Sequence, residues 1–223
     1  MLDVTDISPE AGHFQDQTTN TNIVIMKRNV IIISMLAIVA AVYAQEAGNA
    51  RTLLDKTAAK LSGDGGVSAA FSASGVNGNA SGTIIVKGDK FRVQTSQAVV
   101  WFDGETQWVY SKSTDEVNIS TPADAQQTVN PYKFITLYKD GYDLASSKSG
   151  TGYSIHLTAQ GNKTIREMYV TITSSYVPTQ IKLRTKNGWS TVDVSNFKSG
   201  QYSDATFKFS AKDYPSAEII DLR

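Results

Sequence analysis

Val99-Val100-Trp101-Phe102-Asp103-Gly104-Glu105-Thr106-Gln107-Trp108-Val109-Tyr110 reads as a strand, a tight acidic turn and a second strand. Gly takes positive φ without a Cβ clash, and Asp bonds its own backbone, so Asp103-Gly104 suits a hairpin turn. The flanks are rich in β-branched and aromatic residues, which fit a pleated, half-buried surface. In the first flank successive residues are apolar, which predicts cover on both faces of that strand. The second flank alternates, with Trp108 and Tyr110 on one face. A sheet apolar on both sides needs a second layer, or something else to bind there.

Outward from this hairpin the chain reads as an antiparallel meander. Before it come Val67 to Ser74, Ser81 to Lys87 and Lys90 to Gln94. After it comes Glu116 to Ser120, then a break from Thr121 to Asp143. Asn130-Pro131 opens and Gly141 closes a predicted helix whose apolar residues are Phe134, Ile135, Leu137 and Tyr138, with Asn130 as N-cap. That segment is either a crossover packed on the sheet or a lid over a cavity. The meander resumes at Tyr153 to Leu157, Ile165 to Thr173, Pro178 to Arg184 and Ser190 to Ser195. Thr206 to Phe209 and a short tail, Ala217 to Asp221, complete it. Ahead of the strands, Ala50, Leu53, Leu54, Ala58 and Leu61 recur at helical spacing, and Ser62-Gly63-Asp64-Gly65-Gly66 ends that helix. The fold class is therefore α+β, with about ten strands and two or three helices. A sheet this long must curl or close.

The first 44 residues fall outside that domain. Met1 to Ile25 is polar, with four acids and no Lys or Arg, and reads as an extension upstream of a natural start at Met26. Met26-Lys27-Arg28-Asn29, the apolar run Val30 to Val42, and Val42-Tyr43-Ala44 before Gln45 form a secretory signal peptide over 26–44, cleaved after Ala44. The run is short for a membrane span. Residues 45–223 are one domain, exported and soluble. Removing residues 1–44 takes two basic and four acidic residues from a balanced chain and leaves a charge of +2.

Composition excludes several functions. A near-neutral chain offers no field for nucleic acid. With no Cys there is no disulfide, thiolate metal site or catalytic thiol. His13 precedes the signal peptide, and His156 sits at a polar, alternating position of a strand, as a solvent-facing His does. The sequence holds no zinc-protease, nucleophile-elbow, P-loop or dinucleotide motif. Asp103 and Glu105 are turn acids. The sequence therefore predicts no catalytic residue, no metal, no cofactor and no enzyme. Its signal lies in large apolar side chains. They are either an ordinary core beneath the helices or the lining of a concave apolar sheet with a helical lid.

The order of features sharpens the choice. A signal peptide and a helix precede Val67-x-Ala-x-Phe71, Gly82 and Lys90-Phe91-x-Val93. Asp103-Gly104-x-x-x-Trp108-x-Tyr110, Asn130-Pro131, Phe207-x-Phe209 and Ile219-Ile220-Asp221-Leu222-Arg223 follow. Over residues 47–223 this resembles the outer-membrane lipoprotein carrier proteins, the LolA family. The resemblance implies an unclosed, strongly curved antiparallel β-barrel with helices covering the open concave side. It implies a monomeric periplasmic chaperone that binds the acyl chains of lipoproteins and shuttles them from inner to outer membrane. Its implied partners are acylated lipoproteins, an inner-membrane releasing transporter and an outer-membrane receptor or membrane surface. By matching position, Phe91 and Val93 face the cavity, Val100 and Trp108 fall near lining positions, and Phe134 and Leu137 belong to the lid. Phe71, Ile84 and Val86 of the preceding strands join them. Family members often carry an Arg-Pro after the strand that ends here at Lys87, and that Arg ties lid to sheet. This chain has Gly88-Asp89, so Lys87 or Arg92 substitutes, or the lid is held differently. A lipid-binding or lipoprotein-binding sensor on the same fold, and a ligand-free structural β domain, are the alternatives.

Overall fold

The structure is a computed structural model that describes residues 49–76, 78–121 and 136–223. The predicted extension and signal peptide, the start of the Asn130-Pro131 helix and Phe134 lie outside the described residues. The chain divides into two units, Met1–Gln45 and Glu46–Arg223, and all described residues belong to the second.

Residues 49–61 form the helix α1. Strands β1 (Val67–Gly75), β2 (Ala80–Lys87), β3 (Lys90–Thr95), β4 (Ala98–Phe102), β5 (Gln107–Ser111) and β6 (Glu116–Ser120) follow as a meander. A second meander comprises β7 (Tyr142–Ser149), β8 (Gly152–Ala159), β9 (Glu167–Ile172), β10 (Pro178–Thr185) and β11 (Gly188–Ser199). The tail strand is β12 (Glu218–Asp221). All twelve join one sheet, in the order β12-β6-β5-β4-β3-β2-β1-β11-β10-β9-β8-β7. Every pairing is antiparallel except β12 with β6, which is parallel. The sheet is strongly curved and unclosed, with β12 and β7 at its edges.

Three expectations need correction. Among the described residues the strands number twelve rather than about ten. Periodicity does not reveal Tyr142–Ser149, because Tyr142 and Leu144 are its only large apolar residues and the rest is Ser, Ala, Lys and Asp. That composition suits an exposed edge. Conversely, Thr206–Phe209 is not a strand: Asp204–Phe207 makes a 3-10 turn, with Thr206 N–H bonding Ser203 O. Phe207 and Phe209 alternate because this segment packs across the sheet. Finally, the described residues contain one α-helix, α1; the described end of the 130–141 segment is a 3-10 turn at Leu137–Lys139.

The central hairpin forms as its residues demand. Asp103 Oδ1 accepts the N–H groups of Glu105 (3.1 Å) and Thr106 (2.8 Å), and Gly104 takes φ 102°. Both faces of β4 are covered. Val100 and Phe102 face α1, in a cluster with Val67, Val86, Phe91 and Leu61. Val99 and Trp101 face the other way and are buried. Phe209 and Tyr214 cover Trp101 there, at ring-centroid distances of 5.7 and 5.5 Å, and Tyr214 also meets Tyr110 at 4.5 Å. Residues 200–217 are thus a strap across the side of the sheet opposite α1. Lys87 Nζ bonds Tyr202 O (2.8 Å), and Asp204 pairs with Lys87 (3.6 Å) and Lys90 (3.0 Å).

Candidate functional site: the apolar helix-side face

Neighbours along a strand point to opposite faces, so the register sorts every side chain. Ala69, Ile84, Val93, Val100 and Val109 lie directly opposite one another across β1 to β5, on the side facing α1. Ala73, Val192, Ile181, Val170 and Ile155 continue as a second row from β1 to β8. From β8 through β9, β10, β11, β1, β2, β3 and β4 to β5, no paired position on the helix side carries a charge. The charges of these strands lie on the other side: Lys87, Lys90, Arg92, Glu167, Lys182, Arg184, Asp193 and Lys198.

α1 packs on this face. Ala50, Leu53 and Leu54 pack with Ile155, Leu157, Met168, Val170 and Ile172, while Leu61 reaches the Phe91 cluster. The one α-helix among the described residues covers about 10 Å of width, whereas nine strands span about 40 Å. Accordingly Phe71, Ile84, Val93, Val100, Val109, Ile181, Val192 and Val194 are only half-buried. Full burial of such a side chain is worth about 1.5–3 kcal/mol, so the face retains a considerable drive to be covered. At Gly82, opposite Phe71, a Cβ would lie 2.0 Å from Gln94 O, so the neighbour of Phe71 can only be Gly.

The predicted lining residues divide three ways. Phe71, Ile84, Val86, Phe91, Val93 and Val100 share the helix-side face; Val86 and Phe91 are buried in its core and the others half-buried. Leu137 packs with the second cluster, beside the buried Tyr138. Trp108 does not join them. It pairs with Trp101 and Ile119 and so lies on the strap side, because the Asp103–Thr106 loop sets Val109, not Trp108, opposite Val100. Lys87 and Arg92 also face the strap side. Lys87 holds Tyr202 and Asp204, and Arg92 lies 5.8 Å from the Trp101 ring, so neither ties anything to the helix side. That tie is made by Tyr138, whose Oη bonds Asp55 Oδ1 of α1 at 2.5 Å. Burial and then this bond push the Tyr138 phenol far up. Sequence reasoning missed Val109, Ile181, Val192 and Val194, although period-two alternation marks each of them.

Among the described residues no three His, Cys, Asp or Glu side chains converge as a metal site. His156 bonds Glu167 (2.9 Å) on the opposite side and stacks on Tyr169. A depression of ≈ 380 Å³ opens where β1 to β4 end; Ser72, Ser74, Asn79, Ser81, Thr95, Ser96 and Gln97 make its lining mostly polar. No described helix is long and apolar enough to cross a membrane.

These features define a half-barrel: an open, curved antiparallel sheet with an uncharged apolar side and a helix laid on it. The chain belongs to the outer membrane lipoprotein carrier protein LolA family, whose model matches residues 40–187. No curated protein matches it. An uncharacterized conserved protein from Thermus thermophilus has a similar structure, at 15% identity and TM-score 0.56, covering 78% of this chain and 99% of that one. A LolA superfamily protein from Nitrosomonas europaea is similar at 13% identity and TM-score 0.39, covering 72% and 97%. The Mycobacterium tuberculosis lipoprotein LppX matches at 14% identity and TM-score 0.41, covering 66% and 95%.

Proposed function

We propose that this protein is a periplasmic carrier that holds the acyl chains of lipoproteins against its helix-side face and shuttles them from the inner to the outer membrane. One observation carries the reading: the uncharged apolar face from β8 to β5, with aliphatic side chains half-buried beside α1. An acyl chain gains about 0.8 kcal/mol per buried CH₂, so an acylated protein crosses water only with such a surface to cover it. Release needs no reaction, only a second state of whatever covers the face, and the protein works without cofactor or metal, as a monomer. A transporter at the inner membrane and a receptor or bilayer at the outer one complete the route.

The test is release of a labelled outer-membrane lipoprotein from spheroplasts by the chain from Gln45 onward, read as a co-migrating complex on a sizing column. The complex should form and be lost in Val93→Asp. If lipid co-purifies but no lipoprotein is released, a lipid-binding sensor on the same fold is the better reading. If neither is found, the carrier reading is wrong.

A further inference from the structure

Four large hydrophobic residues are exposed among the described residues: Val76, Trp189, Ile219 and Leu222. Two of them touch. Val76 N–H bonds Trp189 O at 3.4 Å, and a Cβ on Gly188 would lie 2.8 Å from Val76 Cγ1. They sit at the rim where β1 ends and β11 begins. Trp189 is 38% and Val76 47% exposed.

The surroundings of this pair are cationic. Lys182 Nζ lies 5.6 Å and Arg184 Cζ 5.9 Å from the Trp189 ring, within the range of a cation–π contact. Lys186 stands in the adjoining turn, and Arg166 N–H bonds Arg184 O. All four are exposed. The near carboxylate, Glu167, is already engaged by Tyr169, His156 and Arg184. Asp193 lies two ladder rows further along and accepts from Gln180. The other exposed pair, Ile219 and Leu222, flanks the acidic Asp221 instead.

We infer that the Val76–Trp189 rim, with Lys182, Arg184, Lys186 and Arg166 around it, docks on the surface of an anionic lipid bilayer. Indole and aliphatic side chains are favoured at the level of the headgroups. Basic residues beside them are drawn to anionic lipid. By register Trp189, Lys182 and Arg184 lie on the side opposite α1. Val76 and Trp189 stand at the strand ends three residues beyond Ala73 and Val192, so docking would bring that end of the apolar face up to the bilayer. Docking itself does not depend on acyl binding by the face; its use for loading or unloading does.

The experiment is co-sedimentation of the chain from Gln45 onward with vesicles. This chain omits the apolar leader and retains every described strand together with α1. One set contains phosphatidylcholine and phosphatidylglycerol, the other phosphatidylcholine alone, each at low and at physiological salt. The protein should partition onto the anionic set, more weakly as salt rises. The Lys182→Gln/Lys186→Gln variant should bind weaker by about fivefold per cation. Trp189→Ser should lose most of the binding, and Ile219→Ser should retain it. Both charges are exposed, so the lysine variant carries the test should Trp189→Ser fail to fold. Absence of partition, equal partition onto the neutral set, or wild-type partition by both variants would overturn the inference. Val93→Asp should dock normally while failing to carry lipoprotein, which separates this inference from the carrier reading.

Discussion

Tyr138 Oη donates a 2.5 Å hydrogen bond to Asp55 Oδ1, tying α1 to the 3-10 turn that leads into β7. The Tyr138 ring is buried in the β7–β10 core, and Arg51 stands 6.0 Å from it. The helix is thereby fastened to the very connection whose upstream part was expected to form a lid. Tyr138→Phe keeps the ring and removes the bond. The expected cost is about 1 kcal/mol, because the exposed Asp55 regains water, measured by urea titration. On the proposed acyl-binding role, exchange of a bound acyl probe should become faster, which stopped-flow fluorescence would detect. Unchanged exchange would mean that the connection moves independently of this bond.

The same phenol makes the protein sensitive to alkali. Burial raises Tyr138 and Tyr142 above the ordinary tyrosine value of 10.0, and the Asp55 bond raises Tyr138 further. A raised phenol costs nothing while both folded and unfolded states are protonated. Above about pH 10 the unfolded chain loses its proton first, so stability falls as pH rises through the folded value. Thermal melts should show this decline in the wild type and a smaller one in Tyr138→Phe.

Acid acts through Glu167. Bonds from Tyr169, then His156 and Arg184, hold its carboxyl below the ordinary 4.5 despite partial burial. The stabilisation is complete above pH 4.5 and is lost as pH falls through the lowered value. Glu167→Gln should flatten the acid limb of a stability-against-pH curve while leaving acyl binding unchanged, since this cluster lies on the side opposite α1. An identical acid limb in both proteins would show that the cluster contributes nothing.

Strand parity makes a sharper test of the site. Val100→Asp places a carboxylate on the helix-side face between Val93 and Val109, with no partner in register. An unpaired charge there should abolish binding of an acyl probe and cost several kcal/mol of stability. Val109→Asp should weaken binding similarly. Trp108→Ala removes a half-buried ring from the other side, so it should lower the melting temperature and leave probe affinity within about twofold. If Trp108→Ala abolishes binding and Val109→Asp does not, the bound chain lies on the strap side.

Much of this was legible in the chain. Alternation placed most of the strands, and successive apolar residues at Val99 to Phe102 required two covering layers, which α1 and the strap supply. Trp108 was misplaced because its face depends on hairpin register, and a family match at a large residue says less than the count of loop residues from Val100 to Val109. Tyr142–Ser149 was missed because an edge strand needs few apolar residues. The partner of Tyr138 could not be read at all, since Asp55 lies 83 residues away and no local pattern links them.

The strap is the feature whose sequence misled most, and it yields the last prediction. Phe207 is buried, while Phe209 and Tyr214 enclose the edge of Trp101 on a face that also buries Val99 and Val117. Lys87 and Lys90 hold its start through Asp204, and Lys208 approaches Asp103 at 3.5 Å. These surface ion pairs contribute little singly, so aromatic burial should dominate. Phe207→Ala should cost about 3–5 kcal/mol, against well under about 1 kcal/mol for Asp204→Asn. Tyr214→Ala should shift Trp emission to longer wavelength as water reaches Trp101, without impairing acyl binding on the far side of the sheet. Equal costs for Phe207→Ala and Asp204→Asn would mean that the ion pairs, and not the rings, keep the strap in place.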